Sequence, residues 1–131
     1  MEQLIKEART ADEKGESERF RDCADRFYRH LRSTWERSVE ELMFNRVVER
    51  YDRAVKTLRL GEVAVDQEAI TAVHKGMTRC SMYIHDQPAA ANFPLPTIEE
   101  MRIDLKDLKD FATSQTSKQK DAKQANAHLM K

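Results

Sequence analysis

"FRDCADRFYRHLRSTWERSVEEL", residues 20–42, decides the fold. Phe20, Ala24, Phe27, Leu31, Trp35, Val39 and Leu42 recur at intervals of three or four, so they fall along one side of an α-helix. No glycine or proline interrupts the run. The spacing predicts a main helix starting at Glu16. The apolar positions Val47, Val48, Tyr51, Val55 and Leu58 extend the pattern toward Gly61. "MFNRVV" shifts the stripe around the axis, so a kink or break is expected near Asn45.

Upstream, residues 2–14 have a thin apolar stripe and suit a short helix, with Gly15 opposing its continuation. Downstream, "RLGEVAVD" reads as a loop or short extended piece. Asp66 then stands where it can cap a helix whose buried face holds Ala69, Ile70, Val73, Met77, Cys80 and Ile84. Pro88, Pro94 and Pro96 make "DQPAAANFPLP" irregular, because proline lacks the backbone donor and pushes its predecessor out of the α region. Thr97 and Glu100 have capping-box spacing and open a last helix. Its narrow seam is Ile98, Met101, Leu105, Leu108 and Ala112. Beyond Thr113 no apolar period continues, which suits a frayed or disordered tail.

The 131 residues suit one domain, and 35 % charged residues with three glycines and three prolines favour helices over strands and turns. The expected fold is therefore all-α, an irregular bundle of three or four helices with one long helix and no sheet. Residues 1–15 form a flexible or short helical N-terminus, 16–112 the helical domain, and 113–131 a basic polar tail.

The formal net charge is zero, which excludes a global basic field. No apolar run approaches the roughly 20 residues needed to span a bilayer. The polar N-terminus is no signal peptide, and Cys23 and Cys80 suit buried thiols of a reducing compartment. A cytoplasmic location is expected, with no membrane partner; self-association stays open.

"RCSMYIHD", residues 79–86, is the densest group of chemistry-bearing side chains. Cys80, His85, Asp86 and His74 lack the paired short spacing of zinc sites, so no metal is expected. A metal phosphohydrolase built on "HD", with His74 and Asp104 or Asp107 as further ligands, is the least favoured alternative. Cys80 lies on an apolar stripe, a poor place for a nucleophile. GxxxxGK[ST] does not occur, so this chain carries no phosphate loop. No catalytic residue and no cofactor are expected, and the chain is read as no enzyme. Arg19, Arg26, Arg29 and Arg37, with His30, lie on one side of the main helix and are candidate nucleic-acid contacts, interrupted by Asp22 and Glu41.

"LRSTWERSVEELMFNRVVERY" (31–51), "VKTLRL" (55–60), "GMTRCS" (76–81), "HDQPAAANFPLP" (85–96) and "EEMRIDLKDLKDF" (99–111) follow one another in an order that resembles a known family. They are similar to the C-terminal helical region of large bacterial RecF/SMC-like P-loop ATPases, of the anticodon-nuclease and phage-defence kind. The resemblance implies a non-catalytic helical interaction module, whose partner is a P-loop ATPase subunit or the remainder of a longer ATPase chain. It implies that the loop with His85, Asp86, Phe93 and Leu95 serves packing or partner docking. An accessory domain contacting nucleic acid through the arginine face and basic tail is the alternative.

Overall fold

The computed structural model describes residues 1–84 and 94–130. All regular structure among them is helical: α1 (Glu2–Glu13), α2 (Ser17–Ser38), α3 (Gln67–Tyr83) and α4 (Ile98–Asn126). One π turn (Val39–Met43) and two 3₁₀ turns (Thr57–Glu62, Ala127–Leu129) complete it. Among the described residues, no helix is long and apolar enough to cross a membrane.

α1 docks through Ile5, Ala8 and Ala11, all buried. Its thin stripe suffices because two of the three are alanines, which let α2 approach closely. The turn into α2 closes with a paired C-cap. Glu16 N–H donates to Ala11 O at 2.9 Å and Gly15 N–H to Asp12 O at 3.2 Å, with Gly15 at φ +67°. This left-handed position favours glycine, and it ends the helix where the sequence places its breaker.

α2 is the axis of the core. Phe20, Ala24, Phe27, Leu31 and Trp35 are buried as the period requires, and Cys23 and Tyr28 widen the face. The chain then leaves the α-helix near Asn45. Phe44 N–H reaches back five residues to Val39 O at 3.1 Å, and this wider turn rotates the stripe so that Met43 is buried. Asn45 and Arg46 follow at φ +46° and +57°. Asn45 tolerates this because its side-chain amide donates to Arg59 O and to Glu62 Oε2. The α-helix therefore does not continue toward Gly61, where the chain makes only the 3₁₀ turn. Residues 44–66 form an irregular arm, on which Val48, Tyr51, Val55 and Leu58 are exposed rather than aligned on a buried stripe.

Asp66 caps α3 as its position predicts, with Oδ1 accepting from Ala69 N–H at 2.8 Å. The buried edge of α3 is Ala69, Gly76, Cys80 and Tyr83. Ile70, expected there, is exposed, and Val73, Met77 and Ile84 are half-buried. Gly76 shifts the contact: a Cβ there would lie only 2.3–2.6 Å from the indole atoms Cε2, Cζ2 and Nε1 of Trp35, so α3 turns its bare backbone toward α2.

α4 begins at Thr97, whose Oγ1 accepts from Glu100 N–H at 3.1 Å. Met101, Leu105 and Leu108 fill the expected seam, and Phe111 takes the buried place expected of Ala112, its ring centroid 5.1 Å from that of Trp35. The helix continues to Asn126, through residues that the apolar pattern assigns to a frayed or disordered tail. Polar side chains hold this half. Gln115 donates to Ala64 O, Gln119 to Glu41 O at 2.9 Å and Asn126 to Gly61 O at 3.1 Å.

Candidate functional site

Of Cys80, read as a buried thiol, and the docking loop expected at His85, Asp86, Phe93 and Leu95, the structure describes Cys80 and Leu95. His85, Asp86 and Phe93 lie outside the described residues. Cys80 is fully buried, and burial, reinforced by the charge of Asp104, pushes its thiol up to about 12. A thiol so protected supplies no thiolate at neutral pH. Cys23 is also a free, buried thiol, raised by the same desolvation.

Arg79, the residue before Cys80, joins a network whose pairings the helical period does not reveal. Its Nε donates to Asp104 Oδ1 at 3.0 Å, and its Nη2 donates to Asp104 Oδ2 and Glu100 Oε2, each at 3.0 Å. Tyr28 of α2 donates to Asp104 Oδ2 at 2.5 Å, and Tyr83 of α3 donates to Glu100 Oε2 at 2.7 Å. The two tyrosine rings stack at 4.7 Å, and the Arg79 guanidinium lies 5.3 Å from the Tyr83 ring centre.

Asp104 is 5 % exposed, yet its carboxylate receives three strong donors. A buried charge so arranged fixes geometry more than it adds net stability. The network ties α2, α3 and α4 together at the end of α3 and the first turns of α4. Burial, then the hydrogen bond to Asp104, raise Tyr28 far above the ordinary phenol range, so its proton stays in place. The hydrogen bond from Tyr83, then that from Arg79, lower the carboxyl of Glu100. These pairings orient helices. They leave Asp104 engaged with Arg79 and Tyr28, and Asp107 lies 3.6 Å from Lys75; among the described residues no three His, Cys, Asp or Glu side chains are grouped as metal ligands. The sequence signal was present: Asp104 sits three residues after Met101 and four before Leu108, a carboxylate inside an apolar seam.

The four arginines proposed for nucleic acid each have a carboxylate neighbour. Arg19 pairs with Glu16 (3.2 Å), Arg26 with Asp22 (3.9 Å), Arg29 with Asp25 (2.8 Å) and Arg37 with Glu41 (3.4 Å). All are short-range pairs along exposed helix surface, the arrangement of a solvated face.

Besides Ile70 and Met82 on α3 and Ile103 on α4, exposed apolar side chains fall on two surfaces. Leu95, 41 % exposed, stands beside buried Pro96 over a shallow cleft of about 280 Å³ at the α1–α2 turn, near Gly15 and Phe20. The larger surface is the arm, where Phe44, Val48, Tyr51, Val55, Leu58, Leu60 and Val65 are exposed. Leu129 and Met130, also exposed, adjoin it where Met130 packs on Gly61. The arm is nevertheless held in one shape. Lys56 N–H donates to Val47 O at 2.8 Å, Ala64 N–H to Met43 O at 3.1 Å, and Arg50 bridges Glu36 (2.7 Å) and Glu40 (3.2 Å). Tyr51 has φ +65°, a left-handed conformation unusual for a bulky residue, with its side chain fully in solvent.

Searches of the chain against protein-family models, curated proteins and solved structures each find no match.

Proposed function

We propose that this chain is a non-catalytic helical module that docks on a P-loop ATPase, as a separate subunit or as part of the same longer chain. The observation that carries the reading is the arm: seven large apolar side chains between Phe44 and Val65 are exposed on a segment pinned by backbone and amide hydrogen bonds. Exposed apolar patches held in a defined conformation lose little entropy on binding and are characteristic of interaction sites. The resemblance of residues 31–111 to the C-terminal region of RecF/SMC-like ATPases supplies the class of partner, and the lack of a GxxxxGK[ST] loop leaves nucleotide hydrolysis to that partner.

The four α2 arginines support a nucleic-acid role less well, because each already faces a carboxylate. Docking through the proline-bearing loop stays open at Leu95, the one residue of that proposed set among those described.

The test is size-exclusion chromatography of the chain mixed with a P-loop ATPase encoded beside it, with ATP turnover measured for each alone. Co-elution is expected, with no turnover by this chain. Tyr51→Ser/Leu58→Ser should weaken the complex by at least about tenfold while retaining the helical circular dichroism, as hot-spot residues do. Unchanged binding by that variant with loss in Phe93→Ala/Leu95→Ala would move the contact to the loop. ATP turnover by the lone chain would overturn the non-catalytic assignment.

A further inference from the structure

α1 and α4 lie against each other across a groove of about 410 Å³. Its floor is apolar, made by the buried side chains of Ile5 and Leu105. Its rim is basic. Lys6 and Arg9 stand on the α1 side, and Arg102, Lys106 and Lys109 on the α4 side. Glu2 is the single acidic residue lining it, and it is paired with Lys109. Lys106 is paired with Asp110 at 3.0 Å. Among the described residues, Lys6, Arg9 and Arg102 form no ion pair and no side-chain hydrogen bond.

This concentration stands out in a chain with no net charge, in which five of the six α2 arginines have a carboxylate beside them. Three of the five rim cations, Lys6, Arg9 and Arg102, meet on one concave surface without an ion-pair partner, although α1 and α4 are separated by nearly the whole chain. The carboxyl of Glu2 is lowered by the hydrogen bond and charge of Lys109, and the N-terminal amine and Lys6 add to the positive field.

We propose that the α1–α4 groove is a binding site for a small organic phosphate of nucleotide size. The volume falls within the range of small-molecule sites, the apolar floor accepts the uncharged body, and the rim accepts the phosphates. The α4 row runs seven residues from Arg102 to Lys109, about 10 Å of helix, which matches a short chain of linked phosphates. A nucleic-acid strand is the lesser fit. No aromatic side chain lines the groove to stack a base, and strand-binding surfaces combine a basic track with such platforms. The inference does not depend on the arm or on an ATPase partner.

The test is calorimetric titration of the intact chain with ATP, inorganic tripolyphosphate, adenosine and a ten-residue oligothymidylate, without metal, at 50 and 200 mM salt. ATP and tripolyphosphate should bind, with affinity falling as salt rises, and adenosine should not. Arg9→Gln/Arg102→Gln should weaken binding by at least about tenfold, the effect of losing charge-assisted contacts. Lys6→Gln/Arg102→Gln is a second variant with the same expectation. Arg21→Gln/Lys123→Gln removes the same charge elsewhere and should leave affinity unchanged. Failure of both phosphates to bind at 50 mM salt would overturn the proposal, as would equal weakening by the Arg21/Lys123 control. Displacement of ATP by the oligothymidylate at lower phosphate concentration would replace the small ligand by a strand.

Discussion

Asp104 sets the orientation of three helices with one side chain. Its carboxylate lies in the apolar seam of α4 at 5 % exposure and is held by Arg79 of α3 and Tyr28 of α2. Removing it leaves Arg79 with Glu100 alone and the Tyr28 hydroxyl without an acceptor. Asp104→Ala is therefore expected to cost about 3–5 kcal/mol in urea unfolding, the range for breaking a buried pair by deleting one partner. Tyr28→Phe removes one donor while the Arg79 contacts remain, and should cost about 1–3 kcal/mol. A loss below 1 kcal/mol for Asp104→Ala would show that water replaces the network readily. Periodicity could not reveal this pairing. It assigns Asp104 and Tyr28 to helix faces, but the partners are 76 residues apart and meet only when α2 and α4 pack.

α4 shows how an element can be held without an apolar stripe. Its first half follows the seam, whereas its second half carries Gln115, Gln119 and Asn126 at helical spacing along the side facing the arm. The arm and the π turn that follows α2 offer backbone carbonyls, and the amide side chains donate to them. Lys118 adds a contact to Asp66 at 2.9 Å, joining α4 to the cap of α3. Gln115→Ala/Gln119→Ala/Asn126→Ala should release the arm while leaving α1 to α3 folded. Amide hydrogen exchange at Lys56 and Ala64 should quicken by at least about tenfold, with exchange in the α2 core unchanged, because local opening is governed by local contacts. Unchanged exchange in the arm would show that its own backbone bonds hold it. In the sequence, "TSQTSKQKDAKQAN" lacks the signal normally read as a packed helix. The amides stand at offsets of four and seven, but their acceptors are backbone carbonyls, which composition does not display.

At the scale of the molecule, the buried acids make the fold sensitive to alkali. Cys80 is pushed from its ordinary 9.0 to about 12, first by burial and then by the charge of Asp104. Tyr28 and Tyr83 are raised from 10.0, each first by burial and then by hydrogen bonding to a carboxylate. Below pH 9 these groups keep their protons folded or unfolded. Above it the unfolded chain releases protons that the folded chain retains, so stability falls as pH rises. The urea midpoint is expected to decline from pH 9 and more steeply above 10, with Cys80→Ala giving a shallower decline between 9 and 10. A midpoint independent of pH up to 11 would show that these groups ionise within the fold. Glu100 has the opposite sign at the acid end: its lowered carboxyl stabilises the fold above the ordinary value of 4.5, and that contribution is lost as pH falls through the lowered value.

The sequence by itself determined the all-α class, the course of α2, the break at Asn45, the start of α3 at Asp66 and the start of α4 at Thr97. These are local matters, because helical period, caps and left-handed residues act through neighbours a few positions away. The tertiary structure alone decided that α1 docks, that Gly76 receives Trp35, that residues 44–66 form a pinned arm and that α4 runs to Asn126. It also decided which charges are paired. Arg19, Arg26, Arg29 and Arg37 find carboxylates three or four residues away on their own stretch of chain, whereas Arg102 joins Lys6 and Arg9 only because α1 packs on α4. Convergence across nearly a hundred residues depends on how helices pack, and no local pattern encodes it.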